Sequence, residues 1–301
     1  AREVYVNKLL RPNPFLVGAA LGLPAKRPDD FLLARLTFDD DPGQALPPWT
    51  TDRGRHAVLS SGGKDSLLSY GLLHELGLEP HPIFINESGR HWFTALNAHR
   101  HLAAEDPRTA RVWTNSDRLF SWMLRRIPLV RADFANVRAD IYPLRLWTVA
   151  VFIAGALPLL RRRGLGRLVI GDEYDTTLRV SHQGITHYAG LYDQSRYFDD
   201  AMSRYFMRKG WGVSQFSLLR PLSELLILKI LTRRYPDLQR HQVSCHAAHL
   251  EHGRALPCGK CEKCRRMVAM LRALGVDPSA CGYSMAQQEA CLVDFARSGL
   301  H

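Results

Sequence analysis

The chain has 301 residues, of which 46% are hydrophobic and 23% are charged, an ordinary balance for a folded globular protein. Its 40 lysine and arginine residues outnumber 29 aspartate and glutamate residues, so the formal net charge is +11. Such a charge favours a polyanionic partner, either RNA, an anionic membrane or a highly phosphorylated small molecule. The basic residues are scattered, and 161–163 is the single run of three, which weakens the case for RNA.

Residues 1–55 predict a small β-rich portion that precedes the main domain. Two apolar runs, 3–7 and 31–38, have the composition of strands, and prolines and aspartates punctuate the rest. The pair Pro47-Pro48 indicates a linker. The chain starts with Ala rather than Met, so we expect this portion to be processed or truncated, and no signal peptide is recognisable there.

The most informative stretch is a short apolar run, 56–60, which leads into the small residues Ser61, Gly62 and Gly63. A helix with apolar periodicity is predicted directly afterwards, over 66–77. A loop between a strand and a helix N-terminus presents consecutive backbone N–H groups and binds anions such as phosphate. The two glycines are expected to adopt positive φ and to let a phosphate approach the backbone.

Three polar side chains complete this loop. Lys64 adds a mobile positive charge, and Ser66 is predicted to cap the helix or to bond a phosphate oxygen. Asp65 would repel phosphate unless a cation lay between them, and a bound Mg²⁺ would supply that cation. The Walker pattern, with Gly-Lys-Ser/Thr after four free positions, is absent, so the loop is not an ordinary P-loop.

Strand and helix patterns alternate through the central region, 56–240, which predicts an α/β fold with a parallel sheet and helices on both faces. Ligands of such sheets bind at the carboxyl ends of the strands. The apolar run 146–160 is shorter than the ~20 residues of a membrane span, so we interpret it as a buried crossover helix and expect no membrane association. Further strands are predicted at 81–86, 109–114, 168–171 and 213–217, and further helices at 91–104, after 115–117, at 143–163 and at 222–235.

Three carboxylates follow the fourth predicted strand, at Asp172, Glu173 and Asp175. Carboxylates this close together are costly without a cation or a basic ligand, and this strand end should face the same crevice as the phosphate loop. We assign Asp172 to metal or ribose contact and leave the other two open. A solvated acidic turn is the alternative interpretation.

Residues 178–211 predict a long polar insertion beside the nucleotide site, and long loops at such positions commonly serve substrates. Several side chains in it can donate, accept or transfer protons. They include His187, Tyr188, Asp193 and Tyr197.

The C-terminal lobe, 241–301, contains all six cysteines. Four of them have the spacing of a closed structural zinc site, with three ligands two residues apart before a helix predicted at 264–274. An iron–sulfur cluster is the alternative, although the fourth ligand lies upstream and a ferredoxin Cys-Pro ending is missing. His246 could replace one thiolate, while Cys281 and Cys291 are interpreted as core residues, and reduced cysteines fit a cytoplasmic location. The four candidate ligands are Cys245, Cys258, Cys261 and Cys264.

The stretch Ser61-Gly62-Gly63-Lys64-Asp65-Ser66 resembles the pyrophosphate loop (PP-loop) of the N-type ATP pyrophosphatases. The resemblance implies the adenine nucleotide α-hydrolase fold and cleavage of ATP between its α- and β-phosphates, with adenylation of a substrate. It also implies nucleotide binding by this loop, Asn86 and Asp172, with catalytic roles for Lys64, Asp65 and Asp172.

The loop and the cysteine module together resemble the 7-cyano-7-deazaguanine synthase branch of this superfamily. Four blocks, 86–92, 171–177, 191–197 and 219–224, instead resemble the ATP-dependent UDP-N-acetylmuramoyl-L-alanyl-L-glutamate epimerases of some bacteria, and this similarity runs along nearly the whole chain. It implies that the terminal L-Glu of a nucleotide-linked dipeptide becomes D-Glu through an acyl-adenylate, in peptidoglycan precursor biosynthesis. The implied partner is that small substrate, with no nucleic acid.

Inversion at Cα needs a proton acceptor and a proton donor. The candidates are His91, His187, Tyr188, Asp193 and Tyr197, and we assign catalysis to His187 and Asp193. A deazaguanine synthase, a tRNA-modifying ATP pyrophosphatase and a zinc-stapled binding module with an inert loop remain as alternatives. The oligomeric state stays open.

Overall fold

A computed structural model describes residues 17–18, 47–87, 89, 91–128, 130–134, 148–182, 185–188, 190–245 and 247–298. Three expectations from the sequence lie outside these residues. They are the strands at 3–7 and 31–38, the start of the crossover helix at 143–147, and a ligand role for His246.

The described elements alternate as the sequence predicts. The strands are β1 (Asp52–Ser60), β2 (Glu79–Asn86), β3 (Ala110–Trp113), β4 (Leu165–Val169), β5 (Arg179–His182), β6 (Ile185–Tyr188), β7 (Ser214–Phe216), β8 (His249–Glu251) and β9 (Arg254–Leu256). The helices are α1 (Lys64–Glu75), α2 (Trp92–Glu105), α3 (Ser116–Arg126), α4 (Thr148–Arg163), α5 (Arg196–Arg208), α6 (Glu224–Arg234), α7 (Pro236–Gln239), α8 (Glu262–Ala273) and α9 (Met285–Ser298).

Five strands form a parallel sheet in the order β3-β2-β1-β4-β7. The order reverses between β1 and β4, so the connections after these two strands leave toward opposite sides. A crevice opens at the carboxyl ends of strands at such a reversal. The predicted α/β fold with a parallel sheet is therefore confirmed, and its topology places the candidate site between the ends of β1 and β4.

Helices cover both faces of this sheet, and neighbouring residues of β2 show how. Ile83 is buried in a core with apolar side chains of α4 and α5, while Phe84 is buried on the opposite face with side chains of α1, α2 and α6. Successive strand residues point to opposite faces, so an apolar run such as 83–85 fits a strand buried on both sides. This is why the strands read as continuous apolar segments.

The crossover helix and the first helix end agree with the sequence. Ile153 and Leu160 of α4 are buried against the sheet, which confirms the buried helix, and α4 continues through Pro158 to its predicted end at Arg163. Gly77 follows the end of α1 with φ +68°, the left-handed conformation expected at this position. No helix in the described ranges combines the length and apolarity needed to cross a membrane.

The stretch 178–211 differs from the predicted substrate loop. Strands β5 and β6 form an antiparallel hairpin, and α5 occupies most of the second half. Phe198 and Phe206 are buried in the core beneath the sheet, so α5 is part of the helical layer. The overlooked signal is apolar spacing at 198, 202 and 206 behind Ser195, whose hydroxyl caps the helix by accepting from the Phe198 N–H.

The C-terminal elements pack in a core that they share with Leu96 of α2 and Leu228 of α6. It combines the β8–β9 hairpin, α8 and α9, and buried side chains of α8 such as Met267 and Leu271 pack in it. The lobe is joined to α2 by Asn97, whose side-chain amide donates to Ala255 O at 2.8 Å and accepts from Ala255 N at 3.0 Å. This contact fixes the lobe beside the helix that follows β2.

Candidate active site

A cleft of about 450 Å³ opens where the strand order reverses. The phosphate loop lines one side and the acidic turn after β4 lines the other, as the sequence predicts. The lining residues from these two segments are Ser61, Gly63, Lys64, Asp65, Gly171, Asp172, Glu173 and Thr176.

The loop has the shape of an anion site, with two corrections to the predicted details. Gly62 has φ +74°, and a Cβ there would lie 2.7 Å from Ala95 Cα and would also meet Thr94 O, so the backbone of α2 leaves room for glycine alone. Gly63 has φ −86° and is the N-cap of α1, so positive φ is needed at one glycine rather than two. Ser66 does not cap the helix, because its buried hydroxyl bonds Ser60 Oγ at 2.9 Å and Gly63 O at 3.1 Å.

Lys64 is buried rather than mobile, which corrects the expectation from the sequence. Its ammonium lies 2.9 Å from Asp65 Oδ1, 3.2 Å from Glu173 Oε2 and 3.4 Å from Glu224 Oε1. Burial opposes the charge on Lys64, but these three carboxylates outweigh it and hold the pKa of Lys64 above its usual value. A buried cation therefore lies at the N-terminus of α1, where the helix dipole also favours anions.

The carboxylates around Lys64 are crowded. Burial raises the pKa of Glu173 to about 7, and the nearby Asp65 and Glu224 add to the rise while Lys64 opposes it. Carboxylate oxygens are the ligand type that Mg²⁺ prefers, so the donors around Asp65 fit the expected Mg²⁺. A divalent cation would relieve the repulsion among three converging acids.

Asp172 lies at the end of β4 in a second buried network. Its Oδ2 accepts from the guanidinium of Arg220 at 3.2 Å, and the same guanidinium donates to Asp199 Oδ2 at 2.7 Å and to Thr176 Oγ1 at 2.7 Å. Burial raises the pKa of Asp172 to about 8, although Arg220 opposes the rise. Asp172 is thus held at the cleft wall by an arginine that bonds both the turn after β4 and α5.

His91 lies at the mouth of the cleft, and its Nδ1 is 3.8 Å from Oε1 of the buried Glu87. Its imidazole is half exposed, so it can reach a ligand in the cleft. Asn86 is buried at the end of β2 and is not among the residues that line the cleft. Its assignment to nucleotide binding stays a prediction.

The two residues assigned to proton transfer occupy different environments. Asp193 is fully buried, and its Oδ2 accepts from the Val149 N–H at 2.9 Å in the first turn of α4. This contact is typical of a helix cap and favours a structural role for Asp193 over proton transfer. His187 lies on β6, and its catalytic assignment stays a prediction.

The remaining wall of the cleft comes from the C-terminal lobe. The segment 243–245 crosses its rim, where the Val243 N–H donates to Gly62 O at 3.3 Å, and α8 contributes Lys263, Arg266 and Met267. The Arg266 Nε lies 3.1 Å from Glu224 Oε2, so α8 is tied to the acidic group around Lys64. The C-terminal lobe, for which the sequence predicts only a structural metal site, therefore also forms part of the cleft.

The four predicted metal ligands converge beside this wall. All four sulfur atoms lie within 4.8 Å of one another, and Cys261 Sγ lies 3.9 Å from Cys245 Sγ and 3.4 Å from Cys264 Sγ. Four sulfurs around a tetrahedral zinc with Zn–S bonds of about 2.3 Å stand about 3.8 Å apart, so the set fits zinc. Hydrogen bonds among the thiols raise the pKa of Cys245 and of Cys264, which a bound divalent cation would reverse.

No family model matches the chain. It is 27% identical to a 7-cyano-7-deazaguanine synthase of Chlorobium luteolum, over 73% of this chain and 93% of that protein. It is 30% identical to a UDP-N-acetyl-alpha-D-muramoyl-L-alanyl-L-glutamate epimerase of a Micromonospora species, over 76% of this chain and 48% of that protein. The chain therefore spans about half the length of the epimerase.

Both relatives are enzymes, and with the fold and the loop geometry they support a PP-loop ATP pyrophosphatase. They argue against an inert binding module. Identity is low in both cases, so the two similarities do not separate the two reactions.

Several residues in and around the cleft have no distinctive sequence pattern. Glu224, which lines the cleft, and Arg220, which holds Asp172, belong to a block that carries only a family resemblance. Lys263 lies within the cysteine module and Arg266 follows it. The signal for Lys263 and Arg266 was their position on the helix that begins at the cluster, but nothing in the spacing tells which face of that helix meets the sheet. Glu173, left open, is now placed in contact with Lys64, while Asp175 is not among the cleft-lining residues.

Proposed function

We propose that this chain is an ATP pyrophosphatase that adenylates a carboxylate, and that it thereby epimerises the terminal L-Glu of UDP-N-acetylmuramoyl-L-Ala-L-Glu to D-Glu. The observation that carries this proposal is the convergence of the four epimerase-like blocks on one cleft. Each contributes lining residues: His91 from 86–92, Asp172, Glu173 and Thr176 from 171–177, Leu191 and Gln194 from 191–197, and Glu224 from 219–224.

Adenylation solves the chemical difficulty of this epimerisation. A proton on Cα beside a carboxylate is very weakly acidic, because the enolate would place a second charge on the same group. Attack of the carboxylate on the α-phosphorus of ATP forms a mixed anhydride and releases pyrophosphate. The carbonyl becomes electron-withdrawing, a base removes the Cα proton, reprotonation on the opposite face inverts the centre, and water releases AMP.

The residues of the cleft divide between these steps. The α1 N-terminus and the Lys64 ammonium would receive the departing pyrophosphate, whose charge develops in the transition state. Asp65, with Glu173 and Glu224 beside it, would hold Mg²⁺, which when bound shields the charge of the phosphates. Because all three carboxylates contact Lys64, phosphate binding must redirect that side chain toward the ligand.

We assign proton transfer at Cα first to His91. It is an imidazole that lines the cleft, and a buried carboxylate, Glu87, lies 3.8 Å from its other side at Nδ1. A carboxylate behind an imidazole orients the ring and stabilises its protonated form, an arrangement common to general bases. His187 stays as the second candidate, and Asp193 is the least suited because it caps α4.

The proposed substrate also fits the charge of the protein. A nucleotide-linked dipeptide carries a diphosphate and several carboxylates, so a chain with net charge +11 would attract it without binding RNA. The Cys245-Cys258-Cys261-Cys264 cluster would hold a structural zinc that fixes α8 against the cleft.

A 7-cyano-7-deazaguanine synthase activity is the second candidate. It is favoured by the 93% coverage of that relative, against 48% for the epimerase. The two candidates share the adenylation step and differ in what happens to the activated carboxylate. A synthase needs ammonia and forms a nitrile, whereas an epimerase returns a carboxylate with inverted Cα.

One incubation tests the proposal against this alternative. The protein is mixed with ATP, Mg²⁺ and UDP-N-acetylmuramoyl-L-Ala-L-Glu, and the nucleotide products and the chirality of the hydrolysed glutamate are measured. We expect AMP, pyrophosphate and D-Glu. Release of ADP and phosphate would contradict the ATP pyrophosphatase assignment, and an ammonia-dependent nitrile from carboxydeazaguanine with unchanged L-Glu would assign the synthase activity instead.

A further inference from the structure

A second groove, which we call the basic groove, lies on the flank of the molecule and shares no lining residue with the ATP cleft. It has a volume of about 680 Å³ and runs between α2, the segment after α7 and the turn of the β8–β9 hairpin. Three arginines and two histidines line it, and none of its lining residues in the described part of the chain is acidic. They are Arg100, His101, Arg240, His241 and Arg254.

Two of the arginines are fixed without losing their charge. The guanidinium of Arg100 donates to Gly253 O, and that of Arg254 donates to Ala280 O at 2.9 Å and to Arg240 O at 3.2 Å. A carbonyl oxygen orients a guanidinium but carries no net charge. Both side chains therefore keep a full positive charge in a set orientation, with further N–H donors available for an anion.

The two histidines that line the groove form a stacked pair. The rings of His101 and His241 have centroids 4.1 Å apart and planes 14° apart. Burial lowers the pKa of His241 to about 4, and His101, Arg240 and Arg254 lower it further, while Asp237 opposes them. Arg100 of α2 lines the basic groove, whereas Glu105 of α2 lines a neighbouring groove that shares the two histidines. Protonation of His241 is therefore disfavoured beside these arginines, whereas binding of an anion is favoured.

A neighbouring groove limits where the negative charge of a ligand can lie. It shares His101, Arg240 and His241 with the basic groove. Its other lining residues include three carboxylates, Glu75, Glu105 and Asp237, together with His74 and aromatic and aliphatic side chains. The carboxylates there repel an anion. The charged part of a ligand is therefore confined to the side of the imidazole pair where the arginines lie.

We propose that the basic groove is a binding site for a phosphate-bearing ligand, with a diphosphate or two adjacent phosphodiesters lying between Arg240, Arg254 and the stacked imidazoles. Guanidinium groups match phosphate oxygens with paired N–H donors, and the two rings add donors at the base of the groove. The site is independent of the proposed reaction, because none of its residues belongs to the ATP cleft.

Inorganic pyrophosphate is the probe, and the ATP cleft must be blocked because that cleft also accepts phosphates. The full chain is saturated with α,β-methylene-ATP and Mg²⁺, and the imidazole resonances of His101 and His241 are followed by NMR during addition of pyrophosphate. We expect both imidazoles to shift, and we expect the pKa of His241 to rise by about one unit or more because an anion stabilises its protonated form. Imidazole resonances that move neither on addition of α,β-methylene-ATP nor at millimolar pyrophosphate would overturn the proposal.

A matched pair of variants separates the groove from general charge effects. Arg240 bonds the exposed Asp237 of its own segment, so Arg240→Gln breaks no described hydrogen bond of that side chain to another element. Arg131→Gln removes an arginine that likewise pairs with an exposed neighbour, Asp133, outside the groove. We expect Arg240→Gln to weaken pyrophosphate binding about tenfold, the loss typical of one charged hydrogen bond, and Arg240→Lys to restore part of it. Equal affinity of Arg240→Gln, Arg131→Gln and the unchanged protein would overturn the proposal.

Two ligands distinguish the sources of the phosphate. UDP and a short single-stranded RNA are titrated in competition with pyrophosphate under the same blocked condition. Displacement by UDP at a lower concentration identifies a nucleotide diphosphate, and displacement by RNA with strong salt dependence identifies a nucleic-acid backbone. Failure of both to displace pyrophosphate would overturn the proposal, because the bound pyrophosphate would then be an adventitious ion only.

Discussion

Among single residues, Lys64 determines the electrostatics of the cleft. It is 5% exposed and faces Asp65, Glu173 and Glu224, and breaking such a buried arrangement leaves uncompensated charge behind. The sequence places a lysine in the loop, but its burial depends on Glu173 and Glu224, which lie over a hundred positions further along the chain. Glu173 and Glu224 come close to Lys64 because of how the strands are ordered in the sheet.

Replacing this lysine should abolish most of the ATP cleavage. In Lys64→Gln the pyrophosphate loses its cation and meets three carboxylates, so we expect the rate of AMP formation to fall about 100-fold or more. Lys229→Gln, on the exposed face of α6, is the control and should keep the normal rate. A folded Lys64→Gln protein with normal AMP formation would contradict the assignment of the loop.

The raised pKa of Glu173 predicts a pH-dependent stability. Its carboxyl has an ordinary pKa of 4.5 and, mainly through burial, a pKa of about 7 in the folded protein. The folded state therefore binds this proton more tightly, so the group contributes stability that is complete below pH 4.5 and is lost as the pH rises through 7. Glu173→Gln is always neutral and should escape this loss.

Urea unfolding at pH 5 and pH 8 measures the effect. We expect the free energy of unfolding of Glu173→Gln, relative to the unchanged protein, to increase between these pH values by at most about 3 kcal/mol. Glu289→Gln, on the exposed side of α9, should show no such difference. A relative stability of Glu173→Gln that is the same at both pH values would show that Glu173 is ionised normally in the fold.

For the structural elements, the junction of β1 and α1 depends on how closely α2 packs against it. Gly62 and Gly77 both have positive φ, but a Cβ at Gly62 would meet the α2 backbone whereas a Cβ at Gly77 would meet nothing within 4 Å. We expect Gly77→Ala to cost about 1 kcal/mol, the price of the backbone conformation, and Gly62→Ala to cost about 3 kcal/mol or more because packing is added. Thermal or urea unfolding of both variants measures these losses of stability. Equal losses would show that the α2 backbone shifts to make room for the Cβ at position 62.

The cysteine cluster and α8 form one unit, because Cys264 lies in the first turn of the helix that carries Lys263 and Arg266. Metal analysis of the purified protein should find about one zinc per chain. Cys261→Ser should lose this metal and lower the free energy of unfolding by several kcal/mol, since metal binding energy is folding energy. It should also weaken ATP binding, because α8 forms a wall of the cleft.

Cys291→Ala is the matched control for this experiment. Cys291 is buried in the same lobe, but its thiol donates to Gly259 O at 3.3 Å and lies outside the cluster. It should keep the zinc and the affinity for ATP. Iron with visible absorbance in the unchanged protein would contradict the zinc assignment.

The elements that sequence periodicity predicted well are those whose burial is decided locally. The apolar run 56–60 and the helix after the loop each carry their signal within a few residues. Helix α5 was missed because the whole polar stretch 178–211 was interpreted as a substrate insertion, whereas Asp199 of this helix is buried against Arg220. A buried ion pair between distant segments has no local pattern, so tertiary structure alone reveals it.

At the scale of the whole molecule, the cleft gathers segments from the beginning of the domain to the metal lobe. The phosphate loop could be predicted from its residues, and so could the opposing acidic turn, because both follow adjacent parallel strands. The positions of Glu224 and Arg266 could not, since each depends on how a helix rotates about its axis when it packs. Asp193 lies in the segment that was predicted to bind substrate, but its carboxylate instead caps the distant helix α4.

The proposed epimerisation makes a prediction that neither a deazaguanine synthase nor a tRNA-modifying ATP pyrophosphatase shares. Removal and return of the Cα proton must exchange it with solvent, so the D-Glu formed in D₂O from ATP and UDP-N-acetylmuramoyl-L-Ala-L-Glu should carry one deuterium at Cα. Omitting ATP should abolish exchange and inversion together, because the free carboxylate leaves the Cα proton too weakly acidic. The measurement is mass spectrometry and chiral separation of the released glutamate.

Variants of two equally exposed histidines then locate the base. The side chain of His91 is 52% exposed at the cleft and that of His249 is 49% exposed on β8, outside it. His91→Gln should stop deuterium exchange while AMP formation continues, because adenylation does not need the base, whereas His249→Gln should behave normally. Loss of exchange in His187→Gln with normal exchange in His91→Gln would move the role of base to His187. Inverted product without deuterium would count against exchange with solvent. Absence of inversion in the unchanged protein would contradict the epimerase proposal. The ATP pyrophosphatase assignment would then be judged separately, by whether AMP forms.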